Sequence, residues 1–391
     1  MAMITDNKDL QKRRVGIYIH VPFCRSKCYY CDFCSKTRVS EEQIAQYTRA
    51  LCAEMDFIAQ KIKADGGELP VADTVYFGGG TPTLLSVREF EKVLCTVNDC
   101  FGIVGGAEIT AETNPKTADY EKLCDIRKLG VNRLSIGMQS THDGELKKLG
   151  RIHTFSDFCE SFNDARRAGF DNVSADLMYG IPDQTKESFC ESIITLADME
   201  PEHISSYCLT IEEGTPFDRR RDSLCLPDED TVADMYASMT EILGKRGYKK
   251  YEISNFAHKG RESKHNIKYW RLQDYLGFGP AAHSCYNSVR YGHSRDISAY
   301  IEGDNTYCDV TTIEHCEQMN EYVMLGLRLA DGIEKADFEA CFGVSFDETF
   351  GEKLAKFAPE YVYTDVDVCR FTPRGMFVSN FILSDVLDFE N

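Results

Sequence analysis

Four cysteines, Cys24, Cys28, Cys31 and Cys34, fall within eleven positions of the stretch HVPFCRSKCYYCDFCS, residues 20–35. Thiols this close together hold zinc, carry an iron–sulfur cluster or pair in a disulfide knot, and each choice belongs to a different kind of protein. Structural zinc takes four ligands, usually from two cysteine pairs set well apart along the chain. Here every candidate sits in one loop, and no second pair of suitable spacing is evident. The CxxxCxxC spacing suits a [4Fe–4S] cube on three thiolates, which leaves one iron open to an outside ligand. Spacing favours the cluster, with zinc as the alternative.

Other chemically capable residues stand at the ends of apolar runs. DTVYFGG runs into GGGTP (Gly78, Gly79, Gly80, Thr81, Pro82), where the lack of Cβ atoms lets backbone approach a ligand closely. AEITAET carries Glu112, RLSIGMQ ends on Gln139, and NVSADLMYG contains Asp176. HNIKYW (residues 265–270) pairs an imidazole, a good axial ligand for heme iron, with the flat faces of Tyr269 and Trp270. Its plainer reading is a hydrogen-bonded loop with Trp270 in the core. His283 is a weaker second candidate, and His20 and His153 lie beside the cysteine and strand-end motifs and need no heme to explain them.

The elements that must position these groups show in the hydrophobic pattern. Strand-like runs at 15–21, 73–79, 107–113, 133–139, 172–180 and 203–210 alternate with amphipathic stretches of helical period. Ser40, Ser86 and Thr154 are placed to cap helices, and Gly130 and Gly169 to stop them. Strands buried on both faces and separated by helices imply parallel βαβ units. Six in succession fit an incomplete (β/α) barrel, with an open doubly wound sheet as the alternative. Both bind ligands at the carboxyl ends of strands, where the polar residues above fall. From about Thr311 the pattern changes to a small α+β module: two helices, then a hairpin-like stretch from Val368 leading into a terminal helix.

Composition bounds the function. Hydrophobic residues at 43% and charged residues at 27% are globular values. A net charge of −19 tilts against a nucleic-acid partner, whose binding is driven by Lys and Arg. No run of about 18 apolar residues suggests a membrane span, and MAMITDNKDLQKRR offers no secretory leader. The expected location is cytoplasmic, at its furthest peripheral on the inner face of the membrane. In a reducing compartment most of the 17 cysteines are small buried hydrophobes, which disfavours the disulfide knot.

CxxxCxxC directly after a strand, with Tyr30 just before the third cysteine, resembles the radical S-adenosylmethionine (SAM) superfamily. IYIHVPFC, YFGGGTPTLL, EITAETNP, GVNRLSIGMQS, LGRIHT, ADLMYGIPDQT and HNIKYW stand in the order seen in the oxygen-independent coproporphyrinogen III oxidase family, and more closely in its heme-chaperone branch. EYVMLGLRLADGI is similar to that family's carboxyl-terminal domain. The resemblance implies a partial (β/α)6 TIM-like barrel over residues 15–300, after a tail at 1–14, and a winged-helix-like α+β domain at 301–391. It implies a [4Fe–4S] cluster on Cys24, Cys28 and Cys31 whose open iron chelates SAM, and reductive cleavage of SAM to a 5′-deoxyadenosyl radical. It places Tyr18, Tyr30, Gly79, Gly80, Thr81, Glu112, Gln139, Arg151 and Asp176 around SAM, with Arg151 suited to the methionine carboxylate. His265 becomes the candidate heme ligand.

The implied partners are heme as cargo, membrane respiratory apoproteins as recipients and a small electron donor such as flavodoxin or ferredoxin. A homodimer is compatible with them. The alternative activity is radical decarboxylation of two propionates of coproporphyrinogen III to vinyls, or another radical SAM reaction on a tetrapyrrole. Decarboxylases of the family carry a CxC third pair, whereas here Phe33 takes that position and leaves Cys34 as an ordinary free thiol. They also carry a longer amino-terminal segment than the 17 residues before Tyr18.

Overall fold

The structure, a computed structural model, describes residues 13–304 and 306–387. The expected tail therefore lies outside the described residues up to position 12. Six parallel strands, β1 (Arg14–Val21), β2 (Val71–Gly79), β3 (Ile103–Thr113), β4 (Arg133–Gln139), β5 (Val173–Tyr179) and β6 (His203–Cys208), stand side by side in chain order. Between them run α1 (Glu41–Ala64), α2 (Val87–Phe101), α3 (Tyr120–Lys128), α4 (Asp143–Lys148), α5 (Phe155–Arg167) and α6 (Lys186–Ala197). Ser40, Ser86 and Thr154 each open a helix with a reciprocal capping box. Gly130 and Gly169 take positive φ just past α3 and α5. This is the incomplete (β/α) barrel that the sequence implies.

Period-two alternation sorts each strand into two faces. Ile17, Ile19 and Val21 are wholly buried in the hydrophobic core, each burial contributing about 1.5–3 kcal/mol. The opposite face looks into the lumen and is polar: Thr74 and Tyr76, Glu108 and Glu112, Arg133 and Ser135, Asp176, and Ser205 and Tyr207.

Six strands leave two exposed edges that need cover. After α7 (Glu229–Lys245), β7 (Lys249–Lys250) and β8 (Asn255–Ala257) extend the sheet beyond β6. On the other side, α8 (Lys264–Trp270) leads to β9 (Tyr275–Phe278), which pairs in parallel with β1. β10 (His283–Tyr286), β11 (Val289–His293), α9 (Ile297–Ile301) and β12 (Tyr307–Thr312) follow, and the three strands continue antiparallel to make twelve in all. β12 lies past residue 300 and is still a strand of the large sheet. Glu54 of α1 anchors this extension: its carboxylate lies 2.8 Å from His293 Nε2 and accepts from the Tyr300 hydroxyl at 2.5 Å.

HNIKYW is a helix, and α8 fills the amino-terminal end of the lumen. Glu108 accepts the Lys264 and His265 amides, both at 3.1 Å, so a carboxylate sits at the positive end of the helix. His265 bonds through Nδ1 to Thr74 Oγ1 and through Nε2 to the Tyr269 hydroxyl, both at 2.7 Å. Lys268 reaches Asp73 at 2.8 Å. Gly16 makes room for the plug, since a Cβ there would meet Lys268 Cδ at 2.9 Å and His265 Cε1 at 3.2 Å.

The carboxyl-terminal part comprises α10 (His315–Gly326), β13 (Ile333–Glu334), α11 (Lys335–Phe342), α12 (Glu352–Ala355), β14 (Val362–Thr364), β15 (Val368–Phe371), α13 (Pro373–Phe377) and α14 (Ser379–Val386). Its strands form a separate antiparallel sheet in the order β13-β15-β14. The stretch from Val368 supplies one strand and two helices, because Thr372 caps and Pro373 starts a helix where a second strand was expected.

If α8 is a structural plug, His265→Ala costs about 3 kcal/mol, from lost packing and two orphaned hydroxyl partners. Urea unfolding of the metal-free chain measures it, and an unchanged midpoint would show that the plug does not depend on this ring.

Candidate functional site

A cavity of about 620 Å³ opens at the carboxyl ends of the strands. The cysteine loop forms one wall and is held at several points. The Cys24 amide donates to Lys36 O at 3.0 Å and the Tyr29 amide to Leu149 O at 3.0 Å. Tyr29 O accepts from the Phe217 amide at 3.0 Å. Gly150 must lack a side chain, because a Cβ there would lie 2.9 Å from the Tyr29 ring. Gly80 is equally constrained, since its Cβ would stand 2.5 Å from Phe23 O.

Cys24, Cys28 and Cys31 are each half-buried and all line the cavity. Burial pushes the Cys24 and Cys31 thiols up. A hydrogen-bond chain runs from this wall into the site: Arg151 Nη1 donates to Asn114 Oδ1 at 2.5 Å, Asn114 Nδ2 to Thr81 Oγ1 at 2.8 Å, and Thr81 to Cys24 Sγ at 3.7 Å. Arg151 Nη2 donates to the Tyr30 hydroxyl at 2.8 Å. Its Nε is buried without a partner, as is Nε of Arg133 deeper in the lumen.

Two acids face these cations. Glu112 accepts from the Tyr76 hydroxyl at 2.8 Å and the Gly79 amide at 3.1 Å. Burial raises it to about 7; those two bonds oppose the rise, and the Asp176 charge adds to it. Burial likewise raises Asp176, against hydrogen bonds from Ser205 and Ser135. Gln139 enters the cavity from a backbone at φ 72°, an uncommon conformation for a side chain other than glycine.

Of the residues singled out in the sequence, Cys24, Cys28, Cys31, Tyr30, Gly79, Gly80, Thr81, Glu112, Gln139, Arg151 and Asp176 come together on this one cavity. Tyr18 does not line it. Its hydroxyl is 3.0 Å from His20 Nδ1 and its ring packs on Tyr76, which does line it. His265 is also absent from the wall: it is 1% exposed, both ring nitrogens are occupied, and burial lowers it to about 3. As folded, it presents no nitrogen to an iron. Cys34 turns away and donates to Arg295 O at 3.2 Å. Asn114, Arg133 and Tyr76 are cavity residues that the sequence reading did not place on the site, and His153, noted there only as lying beside its motifs, also lines it. Alternation along β2 and β4, and the position of Asn114 two residues after Glu112, would have found the first three.

Residues 18–196 match the Radical SAM superfamily and residues 313–378 the HemN C-terminal domain. The heme chaperone HemW of Bacillus subtilis (strain 168) is 36% identical over 372 residues, spanning 93% of this chain and 96% of that one. The HemW of Lactococcus lactis (strain IL1403) is 33% identical over 380 residues, spanning 94% and 97%. The chain belongs to the HemW family of radical SAM proteins. Among solved structures, coproporphyrinogen III oxidase (HemN) of Escherichia coli superposes with a TM-score of 0.83 at 22% identity, covering 98% of this chain and 93% of that one. At that identity the likeness speaks for the fold. A mitochondrial radical SAM domain-containing protein of Mus musculus is 34% identical over 334 residues, with 82% and 74% covered.

Membership of the radical SAM superfamily implies a [4Fe–4S] cluster and SAM, and the residues of this HemW-family chain fit both. Among the described residues, no three His, Cys, Asp or Glu side chains converge on a single metal ion. A cubane needs no such convergence, because each thiolate binds a different iron. The orphaned Arg151 Nε and the acids opposite suit a zwitterionic amino acid joined to a ribose.

Glu112 gives a pH test. Its folded pKa lies above the unfolded value, so it stabilises the fold at low pH and loses that contribution as pH rises from about 4.5 through about 7. Unfolding of the metal-free chain and of Glu112→Gln between about pH 5 and 8 checks this. The unaltered chain loses stability relative to the variant as pH rises, whereas a constant difference would mean that Glu112 titrates normally.

Proposed function

We propose that this protein is a heme chaperone built on a radical SAM core. Cys24, Cys28 and Cys31 hold the [4Fe–4S] cluster, and SAM lies between the glycine turn and the lumen acids. What carries the reading is the match over more than nine-tenths of the chain to proteins named heme chaperones. When bound, the cluster and SAM together supply one-electron reductive cleavage of the sulfonium.

The chain's own residues set the geometry for that chemistry. Gly79 and Gly80 leave no room for a Cβ, which would meet the His20 ring at 2.6 Å and Phe23 O at 2.5 Å, so glycine lets this turn close against the start of the cysteine loop. Arg151, held by Tyr30 and Asn114, orients a carboxylate. Glu112, Asp176 and Gln139 take hydroxyl and ammonium donors. Tyr30 shields the thiols from water. Heme is the cargo, membrane respiratory apoproteins the recipients, and a small flavodoxin or ferredoxin the source of electrons.

Anaerobically reconstituted protein is expected to hold about four irons per chain and to cleave SAM on reduction. Replacing Cys24, Cys28 and Cys31 together by alanine removes both properties; a full iron content in that variant would move the cluster elsewhere. Heme titration run beside an assay with coproporphyrinogen III decides the cargo. Heme uptake without decarboxylated product is the expected outcome, and decarboxylated product would make the protein an oxidase instead.

A further inference from the structure

Heme iron takes an imidazole, thiolate, thioether or phenolate as axial ligand, and with His265 sealed in the barrel floor an imidazole would have to come from another ring. Of the nine histidines, His153 lines the cavity. His20 and His203, like His265, have both nitrogens engaged. His153 Nε2 lies 3.2 Å from the Met138 carbonyl oxygen. A carbonyl only accepts, so Nε2 carries the proton and Nδ1 keeps its lone pair. Nδ1 meets no hydrogen-bond partner among the described residues. A metal-binding histidine is held in the same way, its other N–H given to a carbonyl or carboxylate that fixes tautomer and ring plane.

The surroundings suit a flat apolar macrocycle bearing carboxylates. His153 itself is 7% exposed, but its neighbour Ile152 is 68% exposed and Phe33 is 64% exposed, and both line the same cavity. Large apolar side chains left open at the mouth of a ligand cavity mark a surface that something covers. Four charged residues stand on that wall: Arg25, Lys27, Asp32 and Glu212. Asp32 is already paired with Arg295, while Arg25 donates to Lys116 O at 2.7 Å and Lys27 to Phe33 O at 3.4 Å. Neither cation meets a carboxylate among the described residues, so both have charge to offer added ones. Glu212 opposes them at one point, so the balance of the lip is cationic in a chain whose net charge is −19.

We propose that heme docks at the mouth of this cavity with His153 Nδ1 as axial ligand, Phe33 and Ile152 against the macrocycle, and Arg25 and Lys27 at its propionates. This rests on heme being the cargo. Hemin titration of the full chain, read by Soret absorbance and electron paramagnetic resonance, tests it, with far-UV circular dichroism reporting the fold. The unaltered chain shows a histidine-ligated spectrum; His153→Ala loses it, and added free imidazole restores it. Ile152→Asp, at an exposed position, weakens hemin binding about tenfold or more. If His153→Ala does not fold, Ile152→Asp decides alone. Hemin bound by both variants as by the unaltered chain overturns the location and leaves the cargo standing. No hemin uptake by the unaltered chain removes cargo and location together.

Discussion

An ionised side chain buried without compensation is too costly to keep, and the lumen of this barrel holds several. Arg133 is 1% exposed and lies in the fields of Glu108 and Asp176, which keep it charged against its burial. Glu112 and Asp176 rise under the same burial and are held down by hydroxyl and amide donors. Each group is tolerable because the others are present. The site is therefore one electrostatic unit drawn from β2 to β6, and its strands must be in register before any member can be buried. This is the constraint that makes the barrel's interior a binding chamber and denies it an oily core.

The fold was largely legible because its signal is repetitive. Six apolar runs separated by capped amphipathic stretches admit few arrangements, and the caps at Ser40, Ser86 and Thr154 marked the helix starts. What stayed hidden was non-local. β9 to β12 are short, and their place beside β1 depends on partners far away in the chain. The same holds for Thr372 and Pro373, where two residues of local chemistry outweigh a strand-like pattern.

Motifs that end strands bring their residues to the cavity, whereas a motif rich in chemical groups can have those groups engaged within the fold. HNIKYW concentrates an imidazole and two aromatics, but its imidazole and its ammonium group are engaged by Thr74, Tyr269 and Asp73. Sequence gives the donors and leaves out whether they are already taken. Tyr18 occupies a lumen-facing position, and its ring packs on Tyr76, which lines the cavity where Tyr18 does not. His153 was noted beside the site motifs and given no role of its own, because a single histidine beside Arg151 carries no pattern.

The plug at the foot of the barrel also has a bearing on traffic. With α8 filling one end, the cavity opens at the other, beside the exposed Phe33 and Ile152. Guests entering a well from that side would queue: the first would lie deepest and leave last. A broad flat second guest would then act as a cork, drying the chamber beneath it and lending force to every charge inside.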